Sequence, residues 1–383
     1  MKKNEIEYSD LEKVRVLLSK LLESTSKVKS LDNSILGSLG IIVFSSMYDH
    51  YFKSAKSEAI LEHHMNLFSE ALGNYSMKKN EIQSLSSGYL SFGVAYEFLK
   101  KYSDLEPLPD LEETLDEIAI AALQFQLNLN NLDFLYGATG IMHYILEYTS
   151  DKKKLDLAVK LYVEYLIENQ IPMKGGITWE DYYFRQREGS CGINLGLAHG
   201  VVGILKVLTL IHKHYNNKEV QKKIEPLIKG VGSFLEGVAH QKEDIVFPYY
   251  YAPNQPTNRE EKRNTRLAWC YGDLSNAFIL EQLNENMKNE STVSLSKTLI
   301  EKTLERKQFE STLVNDGGLC HGAAGIFHLY HIMSKNLENS SMQESSNYWL
   351  SKTVDYCSQN TDEGTYKKYN PIKKVFEEDY GLL

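Results

Sequence analysis

Two short stretches hold the residue types best suited to chemistry. Leu319-Cys320-His321-Gly322-Ala323-Ala324-Gly325 sets a thiol beside an imidazole, ahead of two glycines three apart and an apolar run. Trp269-Cys270-Tyr271-Gly272 offers a second thiol in a similar setting. Thiolate and imidazole ligands favour zinc, and three protein ligands leave the fourth position open to water or substrate. Cys270, Cys320 and His321 are therefore the candidate metal ligands. The competing reading makes both cysteines small core hydrophobes and His321 a satisfied core histidine. What separates the two readings is whether the fold brings loops 50 residues apart to one place.

Further polar residues sit at matching positions. His199 precedes Gly200 as His321 precedes Gly322, Asp133 lies four residues before Gly137, and Arg266 lies four before Cys270. Tyr271 stands beside Cys270. A lone histidine at an apolar helix start is usually a core residue, whereas several ionisable groups at one register mark a site. His143 and His328 read as mid-helix packing or support, and His63, His64, His212 and His214 as ordinary surface. Cys191 and Cys357 lie off the register and read as structural.

The elements that must position these residues are helices of two kinds, since helical period dominates and strand pairs are scarce. Seven segments are amphipathic and charged: Asp10–Glu23, Ser57–Leu72, Leu111–Leu127, Leu155–Glu168, Glu219–Val238, Ser294–Phe309 and Met342–Cys357. Between them lie shorter helices that are apolar on most faces, as buried helices are. These align on a repeated pair of small residues: Gly37/Gly40, Leu90/Gly93, Gly137/Gly140, Gly200/Gly203, Gly272/Ser275 and Gly322/Gly325. Glycine inside a helix costs on the order of 1 kcal/mol relative to alanine, so its recurrence at one register implies close backbone approach. Strict alternation predicts an all-α fold, an α/α toroid with a ring of buried helices inside a ring of amphipathic ones. Its symmetry places Cys270, Cys320 and His321 at the same end.

The pattern shows seven outer helices and six inner ones. The ending Glu378-Asp379-Tyr380-Gly381-Leu382-Leu383 reads like the approach to a seventh inner helix, so one domain, 1–383, is expected to lack its last inner element. Residues 175–193 and 245–266 break the rhythm as long aromatic segments, the second containing Phe247-Pro248-Tyr249-Tyr250-Tyr251. Loops of this length are often functional, and their aromatic content suits a peptide. As plain connectors they would pack on the toroid face.

Composition bounds the rest. A formal charge of -9 argues against non-specific nucleic-acid binding. With 42% hydrophobic and 24% charged residues the chain reads as globular, and four cysteines are too few for a disulfide scaffold. The apolar runs are too short and glycine-broken for a membrane span, and the N-terminus has no signal-peptide core. A cytoplasmic protein is expected.

The motifs together resemble the lanthionine synthetase C-like family over essentially the whole chain. The parts that carry the resemblance are Asn194-Leu195-Gly196-Leu197-Ala198-His199-Gly200, Arg266-Leu267-Ala268-Trp269-Cys270-Tyr271-Gly272 and Leu319-Cys320-His321-Gly322, with Asp133 ahead of the third glycine pair. The resemblance implies a double toroid of seven outer and seven inner helices around a zinc ion. It implies Cys270, Cys320 and His321 as zinc ligands, and Asp133, His199, Arg266 and Tyr271 as active-site residues. It also implies a lanthipeptide cyclase, adding peptide cysteine thiols to dehydroalanine or dehydrobutyrine to form lanthionine and methyllanthionine. The implied partners are a dehydrated precursor peptide, leader plus core, with a lanthipeptide dehydratase and an exporter that would hold the protein at the inner membrane. The family usually continues Trp-Cys-Tyr-Gly with a residue and then Pro-Gly, whereas Asp273-Leu274-Ser275 stands here. Three rivals remain at this point: a zinc-using prenyltransferase β-subunit, a glutathione-adding relative, and a non-catalytic peptide-binding scaffold.

Overall fold

The computed structural model describes residues 8–76, 83–253, 266–287, 290–359, 361–362, 365–370 and 375–379. The chain opens with α1 (Tyr8–Thr25), α2 (Gly40–Phe52), α3 (Ala55–Asn74) and α4 (Tyr89–Tyr102). It continues through α5 (Pro109–Asn128), α6 (Ala138–Tyr148) and α7 (Lys152–Glu168). A hairpin of β1 (Ile171–Met173) and β2 (Gly176–Thr178) leads to α8 (Tyr182–Glu188) and β3 (Ile193–Asn194). Next come α9 (Val201–His214), α10 (Lys218–Val238), β4 (Tyr250–Tyr251), α11 (Asp273–Asn286) and α12 (Glu290–Glu305). The last helices are α13 (Phe309–Thr312), α14 (Ala323–Asn336) and α15 (Ser340–Gln359), followed by β5 (Thr361–Asp362), β6 (Thr365–Asn370) and β7 (Val375–Asp379).

Among the described residues seven long helices are outer (α1, α3, α5, α7, α10, α12, α15) and six are inner (α2, α4, α6, α9, α11, α14), as the pattern predicts. The neighbouring pair α9 and α10 shows the reason. In α9, Val201, Val202, Ile204, Leu205, Val207, Leu208 and Ile211 are all buried, so apolar side chains point nearly all round. In α10 the buried Ile224, Leu227, Ile228, Val231, Phe234, Leu235 and Val238 recur every three or four residues, a single stripe that must face inward. Burial of each such side chain stabilises by roughly 1.5–3 kcal/mol. Asn217 starts α10 cleanly, its side chain accepting from the Glu219 and Val220 amides.

Inner helices touch in the order α2, α4, α6, α9, α11, α14, each packed on an outer neighbour. The first outer helix, α1, packs against the last, α15. Val375–Asp379, which leads into the ending that the sequence pattern reads as the approach to a seventh inner helix, is a strand paired antiparallel with Thr365–Asn370; residues 380–383 lie outside the described set. One surface expectation is corrected. His64 is fully buried, because α3 turns it onto the end of α1, where its Nε2 lies 3.0 Å from the Thr25 carbonyl.

The glycine repeat has a steric cause. A Cβ added at Gly140 would stand 1.7 Å from the Phe134 carbonyl oxygen, and one at Gly325 would stand 1.9 Å from that of Leu319. Before α6, α9 and α14 the chain thus folds back in a tight loop whose carbonyl lies on the helix start. The second copy of the repeat departs from this register. Gly88, not Leu90, caps α4, in a left-handed conformation (φ 76°) that leaves the Tyr89 amide to bond the Gln83 side chain.

The two long segments are also joined. Residues 175–193 contain β2 and α8 and reach β3, which pairs antiparallel with β4 of the second segment, Ile193 opposite Tyr251 and Asn194 opposite Tyr250. Residues 254–265 of the second segment lie outside the described set. Among the described residues no helix is long and apolar enough to cross a membrane.

Candidate active site

The loops 131–137, 194–200, 266–272 and 316–322 each end on the glycine before an inner helix. Three of them begin with Asn131, Asn194 or Asp316, six residues before that glycine. Each of these side chains accepts the amide two residues on, from Asp133 at 3.2 Å, Gly196 at 2.9 Å and Gly318 at 2.9 Å. Such turns close the loop without help from its middle residues. Adjacent loops are then stitched together by backbone bonds at one recurring position, two residues before the glycine. Ser86 N–H donates to Leu135 at 3.2 Å, Leu135 to Ala198 at 3.2 Å, and Ala198 to Cys270 at 3.0 Å. This stitching carries the loops around one end of the toroid and brings their side chains together.

Cys270, Cys320 and His321 meet there, their sulfur and ring-nitrogen atoms all within 4.8 Å of one another. Tetrahedral zinc, with bonds of about 2.3 Å to sulfur and about 2.0–2.1 Å to nitrogen, separates sulfur from nitrogen by about 3.6 Å. Cys320 Sγ and His321 Nε2 are 3.9 Å apart. The donor set and spacing therefore fit the metal. Cys270 is buried, Cys320 half-buried and His321 exposed, so the cluster opens outward on one side. The Cys320 sulfur beside it, with burial, pushes Cys270 well above the usual thiol range. The neighbouring Cys270 sulfur, with His321 on the other side, lowers Cys320.

His199 and Asp133, 66 positions apart, form a second unit. Nδ1 of His199 lies 2.7 Å from Asp133 Oδ2, while Asp133 Oδ1 accepts the Leu135 and Tyr136 amides at 2.7 and 2.8 Å. The carboxylate is thus pinned by its own loop and aims at the imidazole. Burial of His199 works against its charge, but the Asp133 hydrogen bond and charge outweigh it, with help from Cys320 and Asp181. The net effect raises its pKa. The remaining expected residues also gather at this end. The Tyr271 ring lies 5.7 Å from His199. Arg266 is buried, its amide donates to the Tyr249 hydroxyl at 3.1 Å, and its charge favours the Cys270 thiolate. Gly196 leaves room for Tyr271, since a Cβ there would stand 2.4 Å from the ring. His143 stays a packing residue, its ring 5.3 Å from that of Phe134.

Sequence reasoning missed several contributors. Tyr136 stacks on His199 at 5.9 Å and 11°. It occupies the slot before the glycine that His199, Tyr271 and His321 also occupy, a signal the sequence does contain. Asp181 and Tyr183 join Asp133 and His199 in lining a narrow crevice. Asp273 opens α11 fully buried, accepts the Val246 and Phe247 amides at 3.1 and 2.9 Å, and pairs with Arg306 at 3.2 Å. These bonds fasten the second long segment to the helix next to Cys270. Ser275, in the place of the second glycine, donates to the Gly272 carbonyl at 3.1 Å.

The sequence profile described as lanthionine synthetase C-like protein matches residues 18–383. Nisin biosynthesis protein NisC of Lactococcus lactis subsp. lactis is 23% identical over 274 residues, which cover 66% of this chain and 63% of that protein. The chain therefore spans less than two-thirds of that relative's length. Among solved structures, nisin cyclase matches with a TM-score of 0.71 at 16% identity, covering 92% of this chain and 89% of that one. At that identity the likeness is one of fold, an α/α toroid.

Proposed function

Because the chain belongs to the lanthionine synthetase C-like family, we propose that it is a zinc-dependent lanthipeptide cyclase acting on a dehydrated precursor peptide. The observation that carries this reading is the meeting of Cys270, Cys320 and His321 at the same end of the toroid as the His199–Asp133 pair. The reaction is an intramolecular Michael addition. A cysteine S–H bond breaks and sulfur bonds the β-carbon of a dehydro residue. The π pair moves to the α-carbon, which takes up a proton. Atoms balance without an oxidant or co-substrate.

Held by Cys270, Cys320 and His321, zinc would supply a Lewis-acidic open position that favours the ionised form of the substrate thiol. Ionising a thiol of pKa near 8.5 at pH 7 is worth only about 2 kcal/mol, roughly 30-fold. The larger share then falls to the chain's own residues. His199, held at Nδ1 by Asp133, has Nε2 for proton transfer, and its raised pKa favours the protonated acid that the α-carbon requires. Tyr271 and Arg266 stabilise negative charge on the enolate oxygen. The aromatic side chains of the two long segments orient the peptide, so that thiol and alkene react as neighbours.

The test is to incubate purified protein with a peptide carrying one cysteine and one dehydroalanine, then count alkylatable thiols by mass spectrometry. Ring formation, seen as thiol loss without dimer or adduct, is expected. Cys320→Ala should lose both zinc and activity. Peptide binding without thiol loss, or full zinc content in Cys320→Ala, refutes the proposal. Addition only of an external thiol would redirect it to the glutathione-adding class.

A further inference from the structure

Asn194 is held so that its amide can point only one way. Its Oδ1 accepts the Gly196 amide at 2.9 Å, a partner that can only donate. Its Nδ2 therefore faces the other side, where it donates to the Tyr271 hydroxyl at 3.2 Å and shares a crevice with the buried Asp181 carboxylate. Asp181 is itself fixed. Its amide donates to the Gly192 carbonyl at 2.9 Å, and its Oδ1 caps α8 by accepting from Phe184 N–H. With Asn194 donating to it, the Tyr271 oxygen is an acceptor in that bond, and its own proton must point elsewhere. The neighbouring hydroxyl on that side is Tyr250 of the second long segment, which stands opposite Asn194 in the β3–β4 pair and whose ring has the Arg187 guanidinium 5.8 Å from its centre. The run Asp181, Asn194, Tyr271, Tyr250 thus crosses from one long segment to the other through the residue next to Cys270.

We infer that Asp181 and Asn194 are positioning residues for ring closure. They fix the direction of the Tyr271 hydroxyl so that its proton is presented outward, on a partner that substrate can displace. This rests on the cyclase reading, in which the incoming acceptor is the carbonyl oxygen of the dehydro residue as it becomes an enolate. Tyr250 holds the place of that oxygen in the free protein. A hydroxyl turned the other way would spend its proton on Asn194 and have only a lone pair for a developing anion. The arrangement also gives both long segments one task. The first sets the donor's direction, and the second supplies the acceptor that substrate replaces.

The decisive variants are Asn194→Asp, Asp181→Asn/Asn194→Asp and Tyr271→Phe. A carboxylate at position 194 still accepts the Gly196 amide but forces Tyr271 to donate to it. The accompanying Asp181→Asn retains an oxygen to cap α8 and restores a donor–acceptor pair with position 194. The double variant should therefore keep its zinc and its thermal midpoint. Its kcat on the cysteine–dehydroalanine peptide should fall about tenfold or more, toward that of Tyr271→Phe, as for a lost oxyanion donor, with KM within about twofold. A double variant with wild-type kcat would mean that the pair is merely structural, and the inference fails. A second readout needs no turnover. The 13Cζ resonance of Tyr271, assigned with Tyr271→Phe, should move in the peptide-free double variant, and an unmoved resonance overturns the relay. If wild-type protein forms no ring the cyclase reading falls, and the resonance still decides the relay.

Discussion

Replacing Gly140 by alanine puts the loop stereochemistry to a quantitative test. The new Cβ would sit 1.7 Å from the Phe134 carbonyl oxygen and 2.9 Å from its carbonyl carbon, where real Cβ atoms essentially never come inside 3.0 Å. The obstacle is backbone in a tight loop, so no side chain can swing aside and the loop must move by more than an ångström. Overpacking of this kind typically costs roughly 1–3 kcal/mol, and backbone displacement puts this case at the upper end. Alanine's better helix propensity returns about 1 kcal/mol. A net loss of about 2 kcal/mol is expected, read from urea unfolding. Gly73→Ala is the control, because nothing lies within 4 Å of its Cβ in α3, and it should gain about 1 kcal/mol. The loop that moves carries Asp133, so ring formation should slow by up to about 100-fold, as expected for a misplacement near 1 Å, with zinc content intact. Equal stability of Gly140→Ala and wild type, or a gain matching that of Gly73→Ala, would refute the reasoning.

Asp133→Asn keeps an acceptor for the Leu135 and Tyr136 amides but turns an NH2 toward His199 Nδ1. Loss of a charge-assisted bond, about 1.5–3 kcal/mol, should cut the rate of ring formation roughly 10- to 150-fold while zinc stays bound; an unchanged rate removes the pair from the mechanism. The raised pKa of His199 fixes the sign of a pH effect. Its stabilisation is complete below the unfolded imidazole value of about 6.5 and disappears as pH rises through the higher folded value. Wild type should therefore lose more urea stability than His199→Gln across that window, and parallel curves contradict the assignment. Arg306→Met strips the fully buried Asp273 of its cation and should cost about 3–5 kcal/mol in unfolding experiments. A loss under about 1 kcal/mol would show the pair to be dispensable.

The alternation of helices was readable because burial leaves different periods in α9 and α10, and the glycine pairs were readable because carbonyls crowd Gly140 and Gly325. The meeting of Cys270 and Cys320 was readable from register, since the two share a slot before their glycines. Contacts made by backbone left no such trace. Nothing in the side chains of Leu135 and Ala198 announces the bonds that join their loops. Asp273 and Arg306 find each other across 33 positions with no periodic relation. Tyr136 shares the slot of His199, Tyr271 and His321, but a tyrosine among 25 is a weaker signal than a histidine among 11. His64 was misplaced because an outer helix looks solvated until its neighbour is known.

The stitched loops have an evolutionary consequence. Their shape is held by peptide groups and by Asn131, Asn194 and Asp316, and at the two positions before each glycine it is the backbone, not the side chain, that joins in holding it. Those positions hold Leu135 and Tyr136, Ala198 and His199, Cys270 and Tyr271, Cys320 and His321. Single substitutions there can exchange an apolar group for a thiol, or a phenol for an imidazole, without redrawing the frame. New reactivity at the mouth of such a ring can be reached by drift in one codon at a time, each intermediate still folded.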